Sequence, residues 1–144
     1  MKKIIVSLSL LLSAGLTQAF AAPEPDQKVL DGFKLEFPAA EQVSWSTQEE
    51  YEKAIFVMAG RRVVAFFSRE GILEGSMCNI FFDQLPLMVM TAVQKRFNDA
   101  IIVDVREVSN SEGTSYRLRL EKNNRKYNIK VSPDGNITDV KKTK

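Results

Sequence analysis

The sequence lacks histidine entirely and contains a single cysteine, Cys78. The absence of histidine excludes Ser-His-Asp and Cys-His catalytic arrangements and every metal site that relies on imidazole. One cysteine is too few for a zinc cluster or for a disulfide within the chain. The sequence also lacks a glycine-rich phosphate loop of the Walker type and a dinucleotide-binding fingerprint. We therefore predict a protein that is not an enzyme and that has no catalytic residues, metal ligands or cofactor.

The N-terminus has the pattern of a cleavable secretion signal. Lys2 and Lys3 precede an apolar run over residues 4–16, and Ala19-Phe20-Ala21 offers small residues for signal peptidase. The run is short for a helix that crosses a bilayer, and an uncleaved membrane anchor is the alternative. We predict cleavage after Ala21, a periplasmic or secreted location, and no membrane span in the mature chain.

The charge balance is close to neutral once the predicted signal is removed. The whole sequence has 20 basic and 18 acidic residues, and two of the basic ones, Lys2 and Lys3, fall in the signal. The basic isoelectric point of the precursor therefore gives no indication of nucleic-acid binding. We predict no nucleic-acid partner.

Cys78 lies in the apolar stretch 77–82. A small secreted domain without disulfides depends on a packed core, and the 44% hydrophobic content is sufficient for one. We favour a buried free thiol at Cys78. An intermolecular disulfide or a reactive thiol remains the alternative.

Hydrophobic spacing and turn residues predict a helix followed by four strands, twice in succession. The first helix begins after Asp26 and ends before Pro38, and the second begins at 83–86 and stops at Asn98-Asp99. The predicted strands are a short one around Val43–Trp45 and others at about 52–58, 62–68, 72–77, 101–108, 115–122, 126–132 and 136–140.

The predicted fold class is α+β, a tandem repeat of a helix followed by a four-stranded antiparallel sheet. The segment Phe37–Trp45 matches Phe97–Val105 at an offset of 60 positions, which supports a duplication. The alternative is that any two units of this kind look alike. The sequence does not determine whether the two sheets join edge to edge.

The predicted domain organisation is simple. Residues 1–21 form the signal peptide, and residues 22–144 form a single domain. The two repeats within that domain cover about 26–82 and 83–144.

Strand alternation assigns side chains to faces in the second half of the chain. Apolar residues alternate with polar ones between Tyr116 and Val131, so the apolar set is expected to face the second helix. The proposed repeat matches these positions to positions in the first half of the chain. The residues there that are expected to face the first helix are Ala54, Phe56, Val63, Ala65 and Phe67.

The other face of the first half is apolar as well, which is unusual for a half-exposed sheet. It carries Ile55, Val57, Val64 and Phe66. Burial of each side chain would contribute roughly 1.5–3 kcal/mol to stability, and this free energy is lost if the side chain stays in water. Three kinds of partner could cover this apolar face: another part of the same chain, a second copy of the chain, or a different protein or peptide. We expect Arg61 and Arg62 to form a charged rim around this protein-interaction site.

The matching face of the second half is basic, with Arg117, Arg119, Lys126 and Lys130. An anionic polymer is one interpretation of such a face. Since few aromatic residues are interleaved with the basic ones, we favour a solvated strand face.

Several motifs together resemble the secreted PepSY-like proteins of Bacteroidetes, also described as β-lactamase-inhibitor-like domains. The motifs, which extend over nearly the whole mature chain, are Phe37-Pro38 at a helix end, Val43-Ser44-Trp45 on the first strand, the turns Ser68–Gly71 and Ser132–Gly135, and Leu85-Pro86 before the second helix. The resemblance implies a tandem helix-and-sheet fold similar to the β-lactamase inhibitory protein. It also implies restraint of secreted peptidases without catalytic residues. Unlike that inhibitor, this chain has one cysteine and a more aliphatic face.

We therefore predict a non-enzymatic secreted or periplasmic protein-binding module. Its partner would be an envelope or secreted protein, such as a hydrolase or peptidase that it inhibits or restrains, and a homodimer is left open. The alternative is a small-ligand or metal-sensing domain that binds its ligand between the two repeats.

Overall fold

The computed structural model of the protein describes residues 23–143, and the predicted signal peptide and cleavage site lie outside them. Within these residues, two α-helices, a short 3-10 helix and eight strands follow one another. They are α1 (Gln27–Glu36), β1 (Glu41–Gln48), β2 (Tyr51–Met58), β3 (Arg61–Phe67), β4 (Leu73–Asn79), the 3-10 helix (Phe82–Gln84), α2 (Leu87–Arg96), β5 (Ile101–Asn110), β6 (Gly113–Lys122), β7 (Arg125–Val131) and β8 (Ile137–Thr143). Neither α-helix of this region has the length and hydropathy needed to span a membrane.

All eight strands form one antiparallel sheet in chain order. The prediction of two four-stranded sheets in tandem is therefore wrong. Strands β4 and β5 pair directly, with Gly75 opposite Asn110 and Asn79 opposite Arg106. Pairing of these two strands satisfies backbone groups that would otherwise lie along two open sheet edges. The sheet formed by residues 23–143 thus has two edge strands, β1 and β8.

Both helices pack on the same face of this sheet. Val29 and Phe33 lie one turn apart on α1 and are buried against the β2–β3 hairpin, while Val89 and Val93 do the same on α2 against β6 and β7. The predicted helix-facing residues of both halves belong to these two clusters, so that face assignment is confirmed. Asp26 stands at the N-terminal cap of α1 but makes no side-chain capping hydrogen bond.

The cluster beneath α1 is rich in aromatic rings. The Phe33 ring centroid lies 5.1 Å from the Trp45 ring and 5.1 Å from the Phe56 ring, both in edge-on geometry. Phe67 lies 6.0 Å from Phe33 and is completely buried. Edge-to-face packing of this kind adds about 0.5–1.5 kcal/mol per pair beyond area burial.

Two glycines in turns let the helices approach the sheet closely. Gly71 has φ +84°, and a Cβ atom there would lie 2.2 Å from the Lys28 carbonyl oxygen of α1. Gly135 has φ +86°, and its Cβ would lie 2.5 Å from the Met88 carbonyl oxygen of α2. Glycine is required at both turns because the backbone dihedral and the close contact exclude a side chain.

Candidate functional site: the helix-free face of the sheet

With both helices on one side, the opposite side of the sheet is free of helices in residues 23–143; we call it the helix-free face. The four predicted apolar residues, Ile55, Val57, Val64 and Phe66, lie on it and are each half-buried. None of the four belongs to either buried core cluster. Of the three covers left open, neither a helix nor the other half of the chain covers them within residues 23–143, because the two halves lie side by side in one sheet.

An unbroken apolar row crosses four strands of this face. Ile55 is opposite Val64, Val64 is opposite Met77, and Met77 is opposite Val108. We call these four residues the apolar row. Met77 and Val108 were not among the predicted site residues, since their place in the row depends on the pairing of β4 with β5. The face is therefore apolar beyond the first four strands.

Phe66 lies beside this row with one open flank. Its cross-strand neighbours are Lys53 on β2 and Gly75 on β4. The Lys53 ammonium nitrogen is 6.0 Å from the centre of the Phe66 ring, the outer limit of a cation–π contact. Gly75 has no side chain, so none stands directly opposite the ring on β4.

The two predicted rim arginines lie on opposite faces. Arg62 is opposite Val57 and belongs to the helix-free face. Arg61 is opposite Met58, which packs against the helix-side core, so the prediction that Arg61 borders the apolar site is wrong. The hairpin turns at Ala59 and Gly60, both with positive φ, which makes Arg61 the first residue of β3.

A row of three basic residues crosses β5, β6 and β7, and it lies next to the apolar row on β5. Arg106 is opposite Arg117, and Arg117 is opposite Lys130, so three like charges stand side by side on adjacent strands. We call these three residues the cationic row. Arg117 and Lys130 form no ion pair within the described part of the chain. Like charges in direct cross-strand register repel one another.

Asp104 forms ion pairs with two basic side chains in and beside this row. Its Oδ2 atom lies 2.8 Å from Arg106 Nε and 3.3 Å from Arg119 Nη2, and Asn79 donates a 3.2 Å hydrogen bond to Oδ1. The Arg106 Nε–H is not directed at the carboxylate, so that contact is an ion pair without a hydrogen bond. The cluster fixes the positions of two guanidinium groups.

The helix-free face is concave over its central part. A groove of about 940 Å³ is lined by residues from six consecutive strands, from Phe66 on β3 to Asp139 on β8. Two acidic residues of the described chain, Asp104 and Asp139, also line this groove. The Asp139 Oδ2 atom lies 3.6 Å from Lys141 Nζ. The basic residues lining the groove are Arg106, Arg117, Arg119, Lys126, Lys130 and Lys141. The groove is strongly cationic although the chain as a whole is nearly neutral.

Cys78 lies away from the groove, on the helix side of the sheet opposite Val63. It is a free, half-buried thiol that donates a 3.4 Å hydrogen bond to the Asn79 carbonyl. Burial raises the pKa of the thiol and Glu107 adds to this, against the opposing effect of Arg61. Such a thiol is a poor nucleophile at neutral pH. No group of three potential metal ligands occurs among residues 23–143.

Three solved structures from Bacteroides share this fold. A DUF2874 family protein from Bacteroides uniformis has 22% identity and a TM-score of 0.77, with 83% of this chain and 90% of that chain covered. A BLIP-like protein from Bacteroides fragilis has 22% identity and a TM-score of 0.77, with 84% and 88% covered. A protein from Bacteroides eggerthii, provisionally described as periplasmic, has 23% identity and a TM-score of 0.76, with 83% and 90% covered.

No protein-family model and no curated protein matches the sequence. At identities of 22–23%, the structural similarity establishes a shared fold and not a shared function. The neighbours agree in part with the predicted resemblance, since they come from Bacteroides and one is BLIP-like. The PepSY-like part of that resemblance stays a prediction.

Proposed function

We propose that this protein is a non-enzymatic, periplasmic or secreted binding module that holds a protein partner against its helix-free face. In this proposal the signal peptide 1–21 is removed and residues 22–144 act as a single domain. The observation that carries the proposal is the apolar row from Ile55 to Val108, which neither helix covers. Partly exposed apolar side chains with polar neighbours are typical of protein-binding surfaces.

An envelope hydrolase or peptidase is the target class we favour, with inhibition or restraint as the effect. The sequence resemblance to β-lactamase-inhibitor-like domains supports this class, and so does the BLIP-like description of one structural neighbour. Steric restraint by a rigid sheet face requires no catalytic residue from the module itself.

Photo-crosslinking in the producing organism's own cell envelope tests the proposal. A photo-reactive phenylalanine analogue placed at Val64 is expected to give a discrete adduct with a second protein. The matched control places the same analogue at Leu35, which is 81% exposed on α1 on the opposite side. Equal adducts from both positions, or none from Val64, would contradict the proposal. An adduct with twice the monomer mass would instead show a homodimer.

The second candidate is a sensor that holds a small ligand or metal ion between the two halves of the chain. The groove crosses the β4–β5 junction, where such a ligand would have to lie. A rise in melting temperature on adding divalent ions or envelope metabolites is the expected result for this candidate. No shift with any of them, together with a Val64 adduct, would favour protein binding.

A further inference from the structure

Building on the proposed function, we propose that the partner presents an extended acidic peptide segment to the cationic row, next to its contact with the apolar row. The two rows adjoin on β5, where Val108 and Arg106 are two residues apart on the same face. One continuous ligand can therefore touch both. The helix-free face would recognise apolar side chains followed by carboxylates.

Arg117, the central residue of the cationic row, indicates an anionic ligand because it forms no ion pair within residues 23–143. Arg117 stands between Arg106 and Lys130, each directly opposite it on a neighbouring strand. Arg106 already pairs with Asp104. Lys130 lies opposite Asp139 on β8, and that carboxylate is 3.6 Å from the Lys141 ammonium nitrogen. Carboxylates from a partner would relieve the repulsion around Arg117 and form charge-assisted hydrogen bonds.

Two of the basic groups in the groove are also paired with a carboxylate before any ligand binds. Asp104 Oδ2 pairs with Arg106 Nε at 2.8 Å and with Arg119 Nη2 at 3.3 Å, which restricts both guanidinium groups. A positioned arginine loses less side-chain entropy on binding a carboxylate than a free one. The groove thus presents two restricted guanidinium groups near the apolar row.

The dimensions fit a short extended segment that runs across the strands. Val64 on β3 and Lys130 on β7 are four strand spacings apart, which at about 4.8 Å each is roughly 19 Å. An extended chain covers that distance in about six residues. The apolar and acidic parts of the segment would each occupy about half of this length.

Charge distinguishes this occupant from the other candidates. A second copy would bring its own cationic groove to a symmetric contact on this face, where like charges would be close together. A nucleic acid or anionic glycan would leave the apolar row uncovered, and among residues 23–143 Phe66 is the sole aromatic residue lining the groove. An acidic segment with apolar residues at one end matches both halves of the face.

The test measures binding of three fluorescein-labelled peptides of about eight residues to the mature protein by fluorescence anisotropy. Each peptide begins with two leucines, and the remaining positions carry glutamate, glutamine or lysine. We expect the glutamate peptide to bind at least about tenfold more tightly than the glutamine peptide at low salt, and the lysine peptide to bind most weakly. The difference should shrink when NaCl is raised from about 50 to about 300 mM.

Two variants locate the effect. Arg117→Glu should remove the preference for glutamate over glutamine. Lys142→Glu, which makes the same change in net charge at an exposed strand position on the helix side, should leave the preference intact. Loss of the preference in both variants alike would show a general charge effect and overturn the inference.

The remaining outcomes separate this inference from the proposed function. Equal binding of the glutamate and glutamine peptides, abolished by Phe66→Glu, would overturn the inference and leave the proposed function standing. Tighter binding of a heparin hexasaccharide than of the glutamate peptide would overturn the choice of a peptide. Failure of all three peptides to bind at about 1 mM would also overturn the inference, because charge attraction does not depend on exact sequence. The Val64 crosslink would then decide the proposed function by itself.

Discussion

Phe66 and Phe67 are consecutive on β3 and face opposite environments. Phe67 is completely buried in the aromatic cluster beneath α1, whereas Phe66 lies half-buried on the helix-free face opposite Gly75. The alternation of side chains along a strand therefore places one aromatic ring in the core and the next at the candidate binding surface.

This pair gives a matched test of the face assignment. Phe67→Glu should unfold the protein, because an unpaired charge in the core costs more than the usual net stability of a domain this size. Phe66→Glu should leave the far-ultraviolet circular dichroism unchanged and lower the free energy of unfolding by no more than about 2 kcal/mol. Urea denaturation measures both. Equal loss of stability in the two variants would show that Phe66 is core.

The turn glycines provide a second prediction, about how the helices are held. Gly71→Ala should lower the free energy of unfolding by at least about 2 kcal/mol, because the new methyl group would overlap the Lys28 carbonyl and the positive φ is strained. Gly60 has φ +74° with open space around it, so Gly60→Ala pays the dihedral cost alone, about 1 kcal/mol. Thermal unfolding of the two variants measures the difference. Identical losses would mean that α1 does not pack closely on the β3–β4 turn.

The cationic row predicts a conflict between stability and binding. Arg117→Glu places a negative charge between Arg106 and Lys130, so it should raise the free energy of unfolding by about 0.2–1 kcal/mol at low salt. The gain should fade in high salt because Arg117 is exposed and Arg106 and Lys130 are only partly buried. Chemical denaturation at two salt concentrations checks this, with Lys142→Glu as the charge-matched control. A loss of stability in Arg117→Glu would show that Arg117 has favourable contacts in the free protein.

The environment of Cys78 predicts slow thiol chemistry. Because burial raises the pKa of the thiol, the folded protein should contain less thiolate at pH 8 than the unfolded chain does. Alkylation by iodoacetamide should therefore be slower in the folded state than in urea, and Cys78 is the sole cysteine to report it. A raised pKa favours folding while the thiol is protonated, so this contribution should disappear as the pH rises through the folded pKa. Equally fast alkylation in both states would contradict this account.

The sequence predicted the element order and the buried face well, for a physical reason. Polar and apolar residues alternate strictly over Tyr116–Glu121 and again over Lys126–Val131, and tight turns at Asn123-Asn124 and around Gly135 define the hairpins. Alternation of this kind assigns each side chain to a face without further information.

Pairing across the middle of the sheet was not predictable in the same way. Strands β4 and β5 pair through backbone hydrogen bonds, and the 3-10 helix and α2 lie between them in the sequence. Because the pairing uses backbone groups, the side-chain pattern of the sequence does not predict it. The full apolar row and the position of the cationic row beside it both depend on that register. Arg61 was misplaced because the turn was expected to include it, whereas the two-residue turn at Ala59-Gly60 makes it part of β3.

The most direct test of the binding face is the yield of the Val64 photo-adduct in the wild-type protein and in the Phe66→Glu variant. Both proteins should show the same circular dichroism and the same melting behaviour within the small loss expected above. We predict that the wild type forms a discrete adduct with a second protein and that Phe66→Glu reduces its yield by at least about tenfold. An undiminished adduct in the folded variant would contradict the claim that the helix-free face holds the partner.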